Sequence, residues 1–334
     1  MPKTDISVRE LVDMVQRGDL LLPEMQRRYI WRASRVRDLL DSLYRGYPSG
    51  TILVWESGEE IPTREMAIQP TRQPINFGVK KYLLDGQQRI TSLASVMTGK
   101  PVKVRDRAKP IEILFNLEHP EGPPSEVIEV EEDINNEEVI DEFNSDNEDR
   151  VDPTEQFKKF TFIVASRRFQ NDPRWVPVSE IFVKTDRDIL MSRRISTNDS
   201  RWDKYADRIQ RVRKIGDYQY AMQVLEQDKN YEEVTQIFVR VNSKGVKLRS
   251  SDLALAQITS KWKGFIDVME KFAEELGEKD FWLDSGLLVR SLTVTATGQS
   301  RFQTIGKLNF NQLKEAWEKA KNGVYFSNNY LRSN

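Results

Sequence analysis

One short segment, residues 81–93, constrains the fold more than any other part of the chain. Its first part, residues 82–84, is an apolar run typical of a buried strand, and Asp85-Gly86 is a turn signal. Apolar side chains then recur at helical spacing, at Ile90, Leu93, Ala94 and Met97. The segment therefore predicts a strand that passes through a glycine directly into a helix, as in an α/β unit.

The first turn of that helix carries Gln87, Gln88 and Arg89. A helix start presents free backbone N–H groups and the positive end of the helix dipole, which suits a phosphate. An arginine adds a planar set of donors, and two amides can orient a water or a base edge. A capped helix with a solvated polar first turn would show the same residues, so both interpretations stay open.

The neighbouring segments complete the predicted α/β unit. Ser7 and Glu10 have capping-box spacing for a helix that ends at Gly18, and residues 34–44 have the apolar spacing of a second helix. Residues 20–22, 51–55 and 111–117 predict strands. The predicted division is an α/β domain over 1–117, an acidic insert or linker over 118–150, and a mixed, then mainly helical lobe over 151–334. The fold class is therefore α/β (α+β).

Composition excludes several classes of protein. The chain has no cysteine, so it has neither disulfides nor thiolate metal sites, and no apolar run is long enough to cross a membrane. Its one histidine, His119, lies among prolines and a glycine and is predicted to be a surface-loop residue. A histidine-based nuclease site is therefore not expected on this chain, and a cytoplasmic location is the default.

Charge is segregated along the sequence. Residues 118–149 contain 14 acidic residues and no lysine or arginine, which leaves 51 basic against 38 acidic residues elsewhere. A basic body suits a nucleic-acid or nucleotide binder, and the acidic segment would then shield its groove. An acidic insert without any masking role is the alternative.

Two further clusters combine cations with amides or aromatic rings. Gln26, Arg27, Arg28, Tyr29 and Trp31 suit phosphate contact and base stacking, although both rings could instead pack on the following helix. The other cluster is at residues 240–245, where an arginine and a lysine flank an asparagine at a helix end. That pattern suits a base, metal or phosphate contact, or a simple helix C-cap.

The three clusters together resemble a known family. Residues 23–31 match Pro-x-x-Gln-Arg-x-Tyr-x-Trp, residues 85–91 match Asp-Gly-Gln-Gln-Arg followed by a hydrophobe and Thr, and residues 237–248 match Ile-Phe-x-Arg-x-Asn-x-x-Gly-x-x-Leu. With these motifs the chain resembles the GmrSD-type family of prokaryotic anti-phage proteins (domain of unknown function 262), of the ParB/sulfiredoxin-like superfamily. The resemblance covers nearly the whole chain and is weakest in the acidic insert and beyond about residue 285.

The resemblance implies a ParB/sulfiredoxin-like N-terminal unit and a nucleoside-triphosphatase that senses modified phage DNA in a restriction system. Such proteins carry a His-Asn-His nuclease domain at the C-terminus or pair with a separate nuclease subunit. The present sequence stops at Asn334 without that domain, so it is expected to be a stand-alone sensor subunit or a truncated chain. Mg²⁺ and an NTP are the expected cofactor and ligand, modified DNA is the expected partner, and a homodimer is left open.

For such an activity we assign roles to residues, because phosphoryl transfer relies on placement and charge neutralisation. Asp85 is the candidate for Mg²⁺ or water positioning, and Gln87 or Gln88 for orienting the attacking water. The predicted catalytic set is Asp85, Gln87, Gln88 and Arg89. The predicted nucleotide-binding set is Gln26, Arg27, Gly86, Arg89, Thr91, Arg240, Asn242 and Lys244. The predicted contacts with DNA or a base are Arg28, Tyr29 and Trp31.

Two other functions remain compatible with the same residues. A non-catalytic DNA-binding module would use the basic body to contact backbone phosphates, with steep salt dependence and no response to nucleotide. A DNA-nicking enzyme would use the carboxylates of the same cleft.

Overall fold

The computed structural model describes residues 3–26, 29–64, 66, 68, 79–104, 107–109, 111–122, 157–166, 169, 171–243, 250–277 and 283–333. These residues form a mixed α+β fold, as the sequence predicts. The strands are β1 (Lys3–Ser7), β2 (Leu20–Pro23), β3 (Ile52–Ser57), β4 (Thr63–Arg64), β5 (Lys80–Asp85), β6 (Val102–Val104), β7 (Arg107–Lys109), β8 (Ile113–Asn116), β9 (Phe162–Val164), β10 (Trp175–Pro177) and β11 (Gln219–Leu225). The helices are α1 (Val8–Arg17), α2 (Ala33–Tyr44), α3 (Gln87–Thr98), α4 (Val178–Val183), α5 (Asp186–Ser192), α6 (Trp202–Arg213), α7 (Tyr231–Ser243), α8 (Ser250–Lys261), α9 (Phe265–Gly277), α10 (Ser285–Thr297) and α11 (Phe310–Ser333).

The predicted strand of residues 82–84 lies inside the main sheet as part of β5. The sheet has six strands in the order β1-β11-β3-β5-β2-β4. β5 pairs antiparallel with β3 and parallel with β2, so both of its edges are covered. Tyr82, Leu83 and Leu84 are fully buried for that reason. The connection from β5 to α3 therefore follows a buried interior strand that is paired on both edges.

Two strands of this sheet do not follow from the sequence pattern. β1 is a polar edge strand, and β11 lies in the part of the chain predicted to be mainly helical. β11 pairs antiparallel with β1 and parallel with β3, so it is an interior strand. Its buried residues alternate with less buried ones, as in Tyr220, Met222 and Val224. The sheet is therefore not confined to residues 1–117 and does not coincide with the predicted division of the chain.

Helices cover both faces of the sheet. On one face, α1, α2 and α3 pack through a large apolar core that also contains the predicted helix face Val36, Leu39, Leu40, Leu43 and Tyr44. On the other face, Tyr231, Val234 and Phe238 of α7 pack against Trp55 and Tyr82. Helices α8 to α11 share a separate core around Trp317. Helix α7 therefore joins the sheet to the C-terminal helices.

His119 corrects the prediction of a surface-loop residue, because only 4% of it is exposed. Its Nε2 lies 3.0 Å from the hydroxyl of Tyr44, and its ring lies edge-on to that tyrosine. Phe115 packs against the same imidazole. Burial lowers the pKa of His119 to about 4. The loop composition suggested exposure, but an aromatic cluster at the end of α2 encloses the ring.

No helix in the described part of the chain has the length and apolarity that spanning a membrane requires.

Candidate functional site

The junction of β5 and α3 begins at a glycine that the backbone requires. Gly86 has φ +97°, and a Cβ there would lie 2.5 Å from Cδ1 of Ile52. Gly86 is also the N-cap of α3 and, having no side chain, makes no side-chain capping hydrogen bond. The N-cap residue therefore supplies no acceptor to the backbone N–H groups at this helix start, a position that suits an anion.

Arg89 folds back from α3 onto the turn that precedes β3. Its guanidinium donates to the carbonyl oxygen of Ser49 and, at 2.7 Å, to that of Thr51. A third contact, 3.3 Å long, reaches the carboxylate of Asp85. The Arg89 side chain is only 14% exposed, so in this conformation most of its donors hold the turn and the end of β5.

Asp85 is the more accessible member of that pair, with 36% of its side chain exposed. In the described ranges, no three acidic or histidine side chains are grouped so that they could hold a metal ion. Mg²⁺ is commonly held by one or two carboxylates together with substrate phosphates and waters. Asp85 could supply one such carboxylate.

Gln88 holds the loop that follows β2. Its Oε1 accepts hydrogen bonds from the backbone N–H groups of Ile30 at 2.9 Å and Trp31 at 3.2 Å. The Gln88 side chain is buried, and the two bonds fix the loop backbone to the first turn of α3. Gln88, in the motif of residues 85–91, is therefore bound to the backbone of the motif of residues 23–31.

Gln87 is buried beside Gln88 but is bound differently. Its Oε1 accepts a long hydrogen bond, 3.5 Å, from Nε2 of Gln88. Within the described residues, no acceptor is bound to the amide N–H donors of Gln87 itself. Of the two glutamines, Gln87 is the one whose donors remain available to a ligand or a water.

Gln26 lies beneath the end of β5. Its amide nitrogen donates to the carbonyl oxygens of Leu83 at 3.1 Å and Leu84 at 2.5 Å. These carbonyls immediately precede Asp85, so the first motif supports the strand end from which the carboxylate projects. The structure thus brings Gln26, Asp85, Gln88 and Arg89 together at one junction.

Of the predicted base contacts, Tyr29 lies in the core and Trp31 lies at its edge. Tyr29 is buried, and its hydroxyl lies 2.7 Å from that of Ser92. Burial raises the pKa of Tyr29 to about 12. Trp31 is partly buried and packs against the same core, so it is the more accessible of the two rings. Arg27 and Arg28 lie outside the described residues.

The remaining predicted site residues are more widely spread. Thr91 is buried within α3. Arg240 is exposed on α7 and lines a pocket formed with α8 and residues 306–307. Asn242 belongs to α7, but its side chain lies outside the described part, as does all of Lys244.

Glu24 is a residue of this region that sequence reasoning missed. Its buried carboxylate accepts hydrogen bonds from the backbone N–H groups of Gly264 at 2.9 Å and Ile266 at 3.0 Å. It thereby caps the start of α9. Burial raises the pKa of Glu24, and the two hydrogen bonds oppose that shift. No local sequence pattern could have shown this, because the capped helix is distant in the sequence.

Comparison with known proteins identifies a family and a distant relative. Residues 8–259, more than half of the chain, match the family model described as GmrSD restriction endonuclease, N-terminal domain. The chain is also similar to the uncharacterized protein MJ0686 of Methanocaldococcus jannaschii, with 24% identity over 281 residues that cover 80% of this chain and 43% of the relative. The chain thus spans less than half the length of that relative. By the extent of the family match, it belongs to the family of GmrSD restriction endonuclease N-terminal domains.

Proposed function

We propose that this chain is an NTP-binding and NTP-hydrolysing sensor module of a DNA restriction system that responds to modified phage DNA. The observation that carries the proposal is the helix start of α3, whose N-cap Gly86 offers no side-chain acceptor, beside the accessible carboxylate of Asp85. Membership in a family of restriction endonuclease domains supports DNA as the partner.

Phosphoryl transfer depends on placement and charge neutralisation more than on covalent chemistry. The N–H groups at Gly86 and Gln87 would bind phosphate oxygens. Mg²⁺, when bound, would neutralise phosphate charge, with Asp85 as its protein ligand. The available amide donors of Gln87 would orient the attacking water, whereas Gln88 and Gln26 maintain the junction.

Arg89 has a double role in this proposal. It lies 3.3 Å from Asp85 and adds positive charge where phosphates would bind, and it also holds the backbone at Ser49 and Thr51. The effect of nucleotide binding at Asp85 could therefore be transmitted through Arg89 to the turn before β3.

The wider assignments are part of the same proposal. We assign the N-terminal part to the ParB/sulfiredoxin-like superfamily and expect a cytoplasmic protein. The nuclease that acts with it would be a separate subunit or a further domain, and a homodimer is compatible with these roles.

The test is phosphate release from a panel of NTPs with Mg²⁺, with unmodified or modified DNA. We expect turnover in the wild type, and loss of at least about tenfold in Asp85→Asn and Gln87→Ala. Asp13→Asn, on the exposed side of α1, is the matched control and should retain full turnover. Equal turnover in all four proteins would contradict the proposal.

The same samples separate the other functions. DNA binding that is steeply salt-dependent, indifferent to nucleotide and unaffected by Asp85→Asn would indicate a non-catalytic DNA-binding module. Plasmid nicking that Asp85→Ala abolishes would indicate a nicking enzyme.

A further inference from the structure

A polar pocket lies on α7, away from the β5–α3 junction. It has a volume of about 320 Å³ and is formed by α7, α8 and the end of the 3₁₀ helix Phe302–Lys307. That volume is at the lower end of the range found for small-molecule sites, roughly 300–1,000 Å³. One small ligand would therefore fill it.

The pocket lies on the side of α7 that faces away from the sheet, as the helical spacing of its residues shows. Phe238 packs on the sheet side of the helix, with Tyr231 and Val234. Arg240 follows two positions later, and two residues advance a helix by about 200°. Arg240 therefore projects from nearly the opposite side of α7 to Phe238, and it lines the pocket there.

The pocket is positively charged. Arg240, Lys261 and Lys307 line it, against one carboxylate, that of Glu232. Lys261 pairs with Glu232, so that carboxylate already has a partner. Over the described ranges Lys307 makes no ion pair or hydrogen bond through its side chain. The balance of charge therefore favours an anionic ligand.

Neutral groups that could recognise a ligand line the same pocket. Gln236 and Gln257 contribute amides, and neither forms a side-chain hydrogen bond within the described part of the chain. A Cβ at Gly306 would lie 2.9 Å from Oε1 of Gln257. The absence of a side chain at Gly306 therefore lets the amide of Gln257 sit at the pocket wall without a clash.

We propose that this pocket binds a phosphorylated small molecule of about nucleotide size, with Lys307, Lys261 and Arg240 around the phosphate and the two amides on the remainder. Lysine and arginine are the usual phosphate partners, and amides recognise base or sugar edges. A partly enclosed pocket of this size favours a small ligand over duplex DNA, which would contact an extended surface. The inference does not depend on hydrolysis at Asp85.

The experiment is site-resolved labelling of the folded chain with pyridoxal 5′-phosphate, an aldehyde that carries a phosphate. The imine formed with a lysine is reduced with borohydride, and peptide mass spectrometry gives the rate at each lysine. Lys271, exposed on α9 and outside the pocket, is the matched control. We expect Lys307 to react at least about tenfold faster than Lys271, a preference equivalent to about 1.4 kcal/mol.

Three comparisons make the labelling decisive. Pyridoxal without the phosphate should remove the preference for Lys307, and ATP or pyrophosphate should protect Lys307 but not Lys271. Arg240→Ala should reduce the preference, with an unchanged melting temperature as the check on folding. Equal rates at the two lysines, or an equal preference with pyridoxal, would overturn the proposal. So would protection of Lys307 by duplex DNA but not by ATP or pyrophosphate.

The labelling also separates this proposal from the proposed function. Asp85→Asn should lose NTP turnover yet keep selective labelling at Lys307. If turnover is absent in the wild type but selective labelling is present, the proposed function fails and the pocket remains.

Discussion

The carboxylate of Glu24 accepts a hydrogen bond from the backbone N–H of Ile266 at 3.0 Å, although 242 residues separate the two in sequence. Two positions later, Gln26 donates to the carbonyl oxygens of Leu83 and Leu84. One turn after β2 therefore holds both the start of α9 and the strand end that carries Asp85. The same turn thus connects the C-terminal helices to the candidate site.

Glu24→Ala should destabilise the protein. The change leaves the partly buried N–H of Gly264 and the buried N–H of Ile266 without their acceptor, a cost of about 1–3 kcal/mol in the free energy of unfolding. Glu24→Gln keeps one acceptor oxygen and should cost less. Urea unfolding measures both, and Glu274→Ala, on the exposed face of α9, should change the free energy of unfolding by less than about 0.5 kcal/mol. Equal stability of Glu24→Ala and this control would show that the cap contributes nothing.

Alanine substitution should lower stability at Gln88 and NTP turnover at Gln87. Gln88→Ala removes the acceptor for Ile30 and Trp31 and should lower the free energy of unfolding by about 1–3 kcal/mol. Gln87→Ala loses only one long hydrogen bond and should be closer to wild type in stability, while losing NTP turnover. Unfolding curves and phosphate release on the same preparations test this. A stable Gln88→Ala together with an unstable Gln87→Ala would reverse the two roles.

Gly50→Ala should displace Arg89 without removing it. A Cβ at Gly50 would overlap Nη1 of Arg89, at a position with φ +91°. We expect loss of NTP turnover and a stability loss larger than that of Gly46→Ala. A Cβ at Gly46, where φ is +73°, would meet no described atom within 4 Å, so that change costs about 1–2 kcal/mol of backbone strain alone. If both variants retain turnover, the position of Arg89 does not matter for catalysis.

The local parts of this structure follow from the sequence. The run from β5 through Gly86 into α3 lies where the apolar spacing predicts it. Ser7 caps α1 by accepting a hydrogen bond from the N–H of Glu10, and Gly18 ends that helix in the left-handed conformation. Each of these features depends on residues that are close in the sequence, so a sequence pattern can predict it.

The features that depend on distant partners do not follow from the sequence. β11 is an interior strand because β1 and β3 flank it, and its own seven residues do not show those partners. The cap by Glu24 joins segments that are far apart, and the buried ring of Tyr29 depends on Ser92 of α3. At the candidate site, the sequence groups Gln26 with Asp85 and Arg89, as the structure does, but it also groups Arg240 with them, which lines a separate pocket. It does not predict that Gln88 and Arg89 are bound to backbone there.

His119 should make stability depend on pH below neutrality. Burial lowers its pKa to about 4 in the folded chain, whereas a histidine in the unfolded chain titrates near 6.5. The unfolded state therefore takes up a proton first as the pH falls, and stability is lost progressively between about pH 6.5 and pH 4. The loss below that window should be of the order of 3 kcal/mol in the free energy of unfolding.

Urea unfolding at pH 7 and pH 4.5 measures the slope, and His119→Asn, which cannot take up this proton, should flatten it. Because the chain has one histidine, its imidazole NMR signals can be followed without assignment and should titrate well below pH 6. A midpoint near 6.5 would mean that the ring is solvated and that Tyr44 and Phe115 do not enclose it in solution. The His119→Asn variant would then show the same pH slope as the wild type.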